Sequence, residues 1–210
     1  MSDFHKIRRL PPYVFEEVNK LKARLRADGV DIIDFGMGNP DMPTPPHIVD
    51  KLVETARDPK AGRYSASKGI VGLRRAMAGY YGRRFGVSLN PDTEVVATLG
   101  SKEGFANLAQ ALTAPGDTVI CPNPAYPIHA YGFIMAGGVI RHVPALSPEE
   151  YLSGISRAVK HSAPPPSVLI LSYPSNPTAQ AVDLEFYRDA VKLAKQHDLL
   201  ILSDVAYSEI

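Results

Sequence analysis

The chain has 210 residues, 45% of them apolar and 21% charged, with a formal net charge of +1. That is enough chain for one good-sized core, and too even a charge for a nucleic-acid surface to be the main function. A single cysteine, Cys121, excludes both a disulfide framework and a cysteine-rich metal site, and its expected role is small buried filler.

Met1 to Arg9 is polar and lacks the apolar core of a signal peptide, and no apolar run is long enough to span a bilayer. The expectation is therefore a cytoplasmic protein with no membrane, nucleic-acid or metal partner. Ile210 follows closely on Tyr207, just after a core-like strand, so a longer parent chain is expected.

Residues 1–45 read as an arm. Pro11-Pro12 precede a helical run from Tyr13 to about Ala27, which Asp28-Gly29 would stop. Asp31 to Phe35 reads as a short strand, followed by Gly36-Met37-Gly38-Asn39-Pro40 and a proline-rich turn. From position 46 an alternating pattern begins. His47–Arg57 and Ile70–Phe85 have helical apolar spacing, and Thr93–Leu99 is a β-branched strand. Ser101–Leu112 is a helix, Asp117–Cys121 a strand and Pro127–Met135 a helix. Val139–Val143 is a strand, Glu149–Val159 a helix and Val168–Ser172 a strand. Leu184–Gln196 is a helix and Leu199–Ser203 a strand. Continuous apolar strands alternating with amphipathic helices imply an α/β fold: a mostly parallel sheet with helices on both faces, preceded by the N-terminal arm. Ligands of such sheets gather outside the carboxyl ends of the strands.

Four blocks fall at predicted strand ends, and each offers a different chemical group. Gly-Ser-Lys-Glu-Gly at 100–104 turns from strand to helix. Ser101 and Lys102 there suit an anion at a helix start, although the same residues make an ordinary cap. Asn-Pro-Ala-Tyr-Pro at 123–127 puts Tyr126 where it would stack on a planar ring or simply fill a turn. Asn176, in Ser-Tyr-Pro-Ser-Asn-Pro-Thr, and Tyr207 would donate to an oxygen on such a ring. Asp204 ends the apolar run 199–202, where a carboxylate needs a partner. A protonated pyridine nitrogen would be one, and a capping role would be another. Jointly the blocks suit a phosphorylated, oxygen-bearing nitrogen heterocycle, which suggests pyridoxal 5′-phosphate. Gly36-Met37-Gly38 imitates the start of a dinucleotide fingerprint, but prolines follow where a helix should begin.

These blocks, in this order, resemble the N-terminal half of a class I/II aminotransferase of the aspartate-aminotransferase fold. The likeness also covers Arg-Leu-Pro-Pro-Tyr-Val-Phe at 9–15, Asp-Phe-Gly-Met-Gly-Asn-Pro-Asp at 34–41 and Tyr-Ser-Ala-Ser-Lys-Gly at 64–69. It is particularly similar to alanine-forming glutamate–pyruvate transaminases and to LL-diaminopimelate aminotransferases. The resemblance implies that 46–210 is part of a pyridoxal-phosphate-binding large domain of fold type I. The remainder of that domain, a small domain and the Schiff-base lysine are expected downstream, so no catalytic lysine is assigned within 1–210.

The resemblance further implies that Ser101 and Lys102 hold the cofactor phosphate and that Tyr126 stacks on its ring. Asp204 would pair with the ring nitrogen, with His129 behind it, while Asn176 and Tyr207 bind the 3′ oxygen. Tyr64 would reach the phosphate of the neighbouring subunit, which implies a homodimer with shared sites. Gly38 and Tyr13 would meet the substrate, Tyr13 and Val14 lying on a segment that closes over it. The expected activity is amino-group transfer between an L-amino acid and a 2-oxo acid in amino-acid biosynthesis, with glutamate and pyruvate as the expected pair and alanine as the product. LL-diaminopimelate or aspartate transamination and carbon–sulfur lyase chemistry are the alternatives. Pro-Thr-Ala after Asn176, in place of the commoner Pro-Thr-Gly, fits the alanine-type branch.

Overall fold

The computed structural model describes residues 4–36, 38 and 41–209. In chain order the elements are α1 (His5–Arg8), α2 (Val14–Ala27), α3 (Pro46–Ala56), α4 (Val71–Phe85) and α5 (Ser101–Leu112). There follow β1 (Thr118–Asn123), α6 (Pro127–Ala136), β2 (Val139–Pro144), α7 (Pro148–His161), β3 (Pro166–Ser172), α8 (Leu184–Gln196) and β4 (Leu200–Asp204). They fall into two compact units, one of residues 1–13 with 99–210 and the other of residues 14–98.

The first unit is a four-stranded sheet in the order β2-β1-β3-β4, with every pair parallel. Strand side chains alternate between its faces. Ile120, Leu169 and Leu171 pack with Tyr151 and Ile155 of α7 and with Phe186 and Ala190 of α8. Their neighbours Val119, Cys121, Val168 and Ile170 point the other way, onto Phe105 and Ala109 of α5 and Phe133 of α6. Helices thus cover both faces, which is why β1 and β3 carry unbroken apolar runs, Val119–Cys121 and Val168–Leu171, at their centres. The Tyr151 phenol donates to the Ile170 carbonyl at 2.6 Å, so this buried hydroxyl is satisfied and ties α7 to β3. Burial pushes the Cys121 thiol up to about 12, leaving it as apolar filler.

Local sequence sets the helix ends. Ser147 caps α7 by accepting from the Glu150 amide, and Asp183 caps α8 by accepting from Phe186. Gly137 ends α6 in the left-handed conformation, with its open side against Pro115. Leads from helix to strand are short: residues 113–117 join α5 to β1, and 197–199 join α8 to β4. Each of these helices therefore runs back along the strand that follows. Its N-terminus stands level with the strand's carboxyl end.

The second unit contains α2, α3 and α4. Among its described residues only Arg74 is buried. Arg74 bonds the carbonyls of Gly69 and Pro91 and reaches the Asp92 carboxylate at 2.9 Å.

Two strand expectations fail. Neither Asp31–Phe35 nor Thr93–Leu99 joins a ladder among the described residues. The second run begins in a turn and forms no ladder, and the Ala97 amide donates to the Lys68 carbonyl instead. β-branched composition describes one side of a ladder and does not supply the other. The turn expected from Gly36 to Pro40 falls partly outside the described residues.

Candidate active site

The candidate site lies at the carboxyl ends of the strands and is traced by contacts within the first unit. β4 ends on Asp204, which pairs in register with Ser172 at the end of β3. The Asp204 side chain is largely enclosed, and its Oδ2 lies 2.9 Å from Nε2 of the fully buried His129 of α6. The Ala206 amide donates to Oδ1 at 3.2 Å. The His129 hydrogen bond holds the carboxyl below its ordinary range, against the opposing effect of burial, and the Ala206 amide acts the same way as that hydrogen bond. An ionised carboxylate only accepts hydrogen bonds, so Nε2 is the nitrogen that carries the proton in this contact. Nδ1 is buried with no hydrogen-bond partner among the described residues. Phe105 packs tilted against the imidazole at 5.0 Å between centroids.

Tyr126 stands just before α6, its ring 6.1 Å from that of His129 and edge-on to it. The Lys102 ammonium lies 5.2 Å from the Tyr126 ring centroid. It is held above its ordinary range, chiefly by hydrogen bonding to the Tyr126 phenol. Partial burial opposes this.

Lys102 belongs to the first turn of α5. The N-cap of that helix is Gly100, at φ +84° and with no side-chain cap, so this helix start offers amides and a cation to an anion. Glu103 accepts from the Leu99 amide, which fixes the turn leading in. Beyond the ends of β3 and β4 in the chain, the Asn176 amide donates to the Tyr207 hydroxyl at 2.9 Å.

The structure thus links Lys102 to Tyr126, Tyr126 to His129 and His129 to Asp204, with Ser101 beside Lys102 in the chain, and it joins Asn176 to Tyr207. Tyr13 lies in the same unit. Tyr64 and Gly38 belong to the 14–98 unit, where both are exposed. Lys192 and Lys195, by contrast, line a groove on the outer side of α8, toward the helix end that leads into β4. Two features escaped the sequence reading: the Tyr131 phenol on α6 contacts the carbonyls of Pro11 and Pro12, and Arg74 turns inward. No local spacing signals either one.

The donor set fits a phosphorylated heterocycle. It has a helix start with a lysine for an anion, an aromatic beside it, a carboxylate held ionised, and an amide–phenol pair for a ring oxygen. A doubly covered parallel sheet carrying these groups at its carboxyl end defines an α/β protein that binds a phosphorylated cofactor ring. Residues 30–210 match the family described as Aminotransferase class I and II. The chain belongs to this family, whose members depend on pyridoxal phosphate.

Over 210 residues it is 67% identical to AatC of Rhizobium meliloti (strain 1021), covering 100% of this chain and 52% of that protein. It is 49% identical to the glutamate-pyruvate aminotransferase AlaC of Escherichia coli (strain K12), covering 99% of this chain and 50% of AlaC. It is 40% identical to the LL-diaminopimelate aminotransferase of Moorella thermoacetica (strain ATCC 39073 / JCM 9320), covering 100% of this chain and 54% of that enzyme. A solved aspartate aminotransferase of Thermus thermophilus superposes with a TM-score of 0.85 at 30% identity, covering 97% of this chain and 53% of the other. The chain therefore spans about half the length of the relatives it matches.

Proposed function

We propose that the full-length form of this protein transfers an amino group from glutamate to pyruvate, forming alanine. The observation that carries the chemistry is the enclosed Asp204 carboxylate, held ionised against His129 at a strand end. The substrate assignment rests on likeness to AlaC. Likeness at 40% to an LL-diaminopimelate aminotransferase favours that amino donor as the second reading.

When bound, pyridoxal 5′-phosphate supplies a cationic, electron-withdrawing ring that accepts the electron pair left when the substrate α-C–H bond breaks. The residues of this chain bind and orient. Ser101, Lys102 and the first-turn amides of α5 hold the phosphate, and Tyr126 flanks the ring. Asp204 keeps a proton on the ring nitrogen, because an ion pair favours the charged form of both partners. His129 keeps Asp204 ionised and aimed. Asn176 and Tyr207 donate to the ring oxygen.

Gly38 and Tyr13 meet the substrate, and Tyr64 serves the phosphate of a second subunit, so the working unit is a homodimer. Residues 1–45 act as the arm and 46–210 as part of the cofactor domain. The α-proton is moved by a lysine in the remaining half of the full-length protein. Lys102 is engaged with Tyr126, and Lys192 and Lys195 stand at the wrong end of the sheet. We assign the enzyme to cytoplasmic amino-acid biosynthesis.

The test is an assay of the purified full-length protein across amino donors with pyruvate or 2-oxoglutarate. Highest kcat/KM for glutamate with pyruvate supports the reading. Highest kcat/KM for LL-diaminopimelate or aspartate replaces the substrate pair, and ammonia release without a 2-oxo acid makes the enzyme a lyase.

A further inference from the structure

We propose that Tyr131 is a positioning residue whose phenol fastens the N-terminal arm at Pro11 and Pro12 and so holds Tyr13 at the Lys102–Tyr126 end of the site. The inference deepens the proposed function and rests on its assignment of Tyr13 to the substrate.

The Tyr131 hydroxyl lies 3.2 Å from the Pro11 carbonyl and 3.2 Å from the Pro12 carbonyl, contacts made across 120 and 119 residues. A phenol has one proton, so it is shared between two adjacent acceptors. Prolines suit such an anchor. Each has a fixed φ and no N–H, so its carbonyl is its only backbone hydrogen-bonding group. Fixing two successive carbonyls on two φ-locked residues leaves the next residue, Tyr13, little freedom of direction. The helix that holds Pro12, and with it the adjoining Tyr13, starts directly after Tyr126, whose ring faces the Lys102 ammonium.

The anchor and the carboxylate support share one rigid element. His129 and Tyr131 are two positions apart on α6, about 200° around the helix axis. His129 therefore points inward to Asp204 while Tyr131 points outward to the arm. One helix registers the substrate-facing arm against the group that meets the cofactor ring.

The experiment compares full-length wild-type holoenzyme with Tyr131→Phe, which removes one hydroxyl and leaves the ring in place. The first readout is the rate of tryptic release of the arm at Lys6, Arg8 or Arg9, followed by mass spectrometry of the N-terminal peptide. The second is the split between KM and kcat. We expect arm release to quicken about 2- to 13-fold and KM for the amino donor to rise by a similar factor, the range for one lost hydrogen bond. We expect kcat within about twofold of wild type, by the rule that uniform-binding losses spare kcat, and unchanged cofactor affinity.

Unchanged arm release overturns the anchor. Faster release with unchanged KM overturns its service to the site. A fall in cofactor affinity or melting temperature that accounts for the KM change makes Tyr131 merely structural, which also overturns the proposal. A wild-type enzyme that transaminates nothing defeats the proposed function, and the arm-release comparison still decides the anchor.

Discussion

His129 Nε2 meets Asp204 Oδ2 at 2.9 Å across 75 residues, joining the first turn of α6 to the last residue of β4. The contact gives a carboxylate at the end of an apolar strand the partner it needs and keeps it ionised. Replacing Asp204 with Asn keeps the shape and removes the charge. In the full-length holoenzyme we expect kcat to fall about 10²- to 10³-fold, the scale for losing one preorganised electrostatic group. Cofactor affinity, followed by absorbance titration, should fall less, because the phosphate contacts remain.

The same pair predicts a pH dependence of stability. The Asp204 carboxyl is lowered in the folded state relative to its ordinary value near 3.9. Its contribution is therefore fully present above that value and is lost as pH falls through the lower folded value. The stability difference between wild type and Asp204→Asn should stay level for this group from pH 7 down to about 5 and shrink only below about 4. Denaturant melts at a series of pH values check this. A difference already lost at pH 6 would assign it to another group.

The Asn176 amide donates to the Tyr207 hydroxyl at 2.9 Å. Tyr207→Phe removes a hydroxyl proposed to bind the ring oxygen while leaving Asn176 its other hydrogen-bonding capacity. Hydrogen bonds to charged groups contribute about 1.5–3 kcal/mol, so kcat/KM should fall about ten- to a hundredfold. The visible absorbance of the bound cofactor should shift as well. An unshifted spectrum with unchanged kcat/KM would remove Tyr207 from the site.

Much of this was readable from the chain because burial leaves a pattern. The strands β1, β3 and β4 stand out as apolar runs because helices cover both sheet faces. Asp204 and Asn176 stand out because each ends or closely follows such a run. Thr93–Leu99 shares the composition but has no ladder partner among the described residues, and a ladder is a property of two segments. Tyr131 was invisible for a related reason, since its acceptors lie 119 and 120 residues away. Arg74 is one of four arginines on α4, and nothing in their spacing tells which one turns inward.

Gly69 is a place where the backbone admits no side chain. Its φ is +84°, and a Cβ there would sit 2.4 Å from the Cβ of Ala97. Gly86 has a similar φ of +69° with open space around it. Alanine at either position costs roughly 1–2 kcal/mol for the left-handed backbone. Only Gly69→Ala adds an overpacking term of about 1–3 kcal/mol. Its melting temperature should therefore lie below that of Gly86→Ala by about 2–4 °C per kcal/mol. Equal melting temperatures would mean that the 66–69 turn shifts away from Ala97 freely.

Arg74 holds that same turn from the other side, and its partners are unequal. Its bonds to the carbonyls of Gly69 and Pro91 come from a buried guanidinium, whereas the Asp92 side chain is 68% exposed. An ion pair with so exposed a carboxylate contributes about 0–1 kcal/mol. Two charge-assisted bonds to carbonyls contribute about 1.5–3 kcal/mol each. Arg74→Met should therefore destabilise by at least about 3 kcal/mol on that scale, and Asp92→Asn by under about 1 kcal/mol. Arg74→Lys should recover only part of the loss, because an ammonium lacks the planar fork that reaches two separate acceptors. Urea melts of the three variants decide it. If Asp92→Asn proves as costly as Arg74→Met, the ion pair, not the carbonyl clamp, holds the turn that leads to Tyr64.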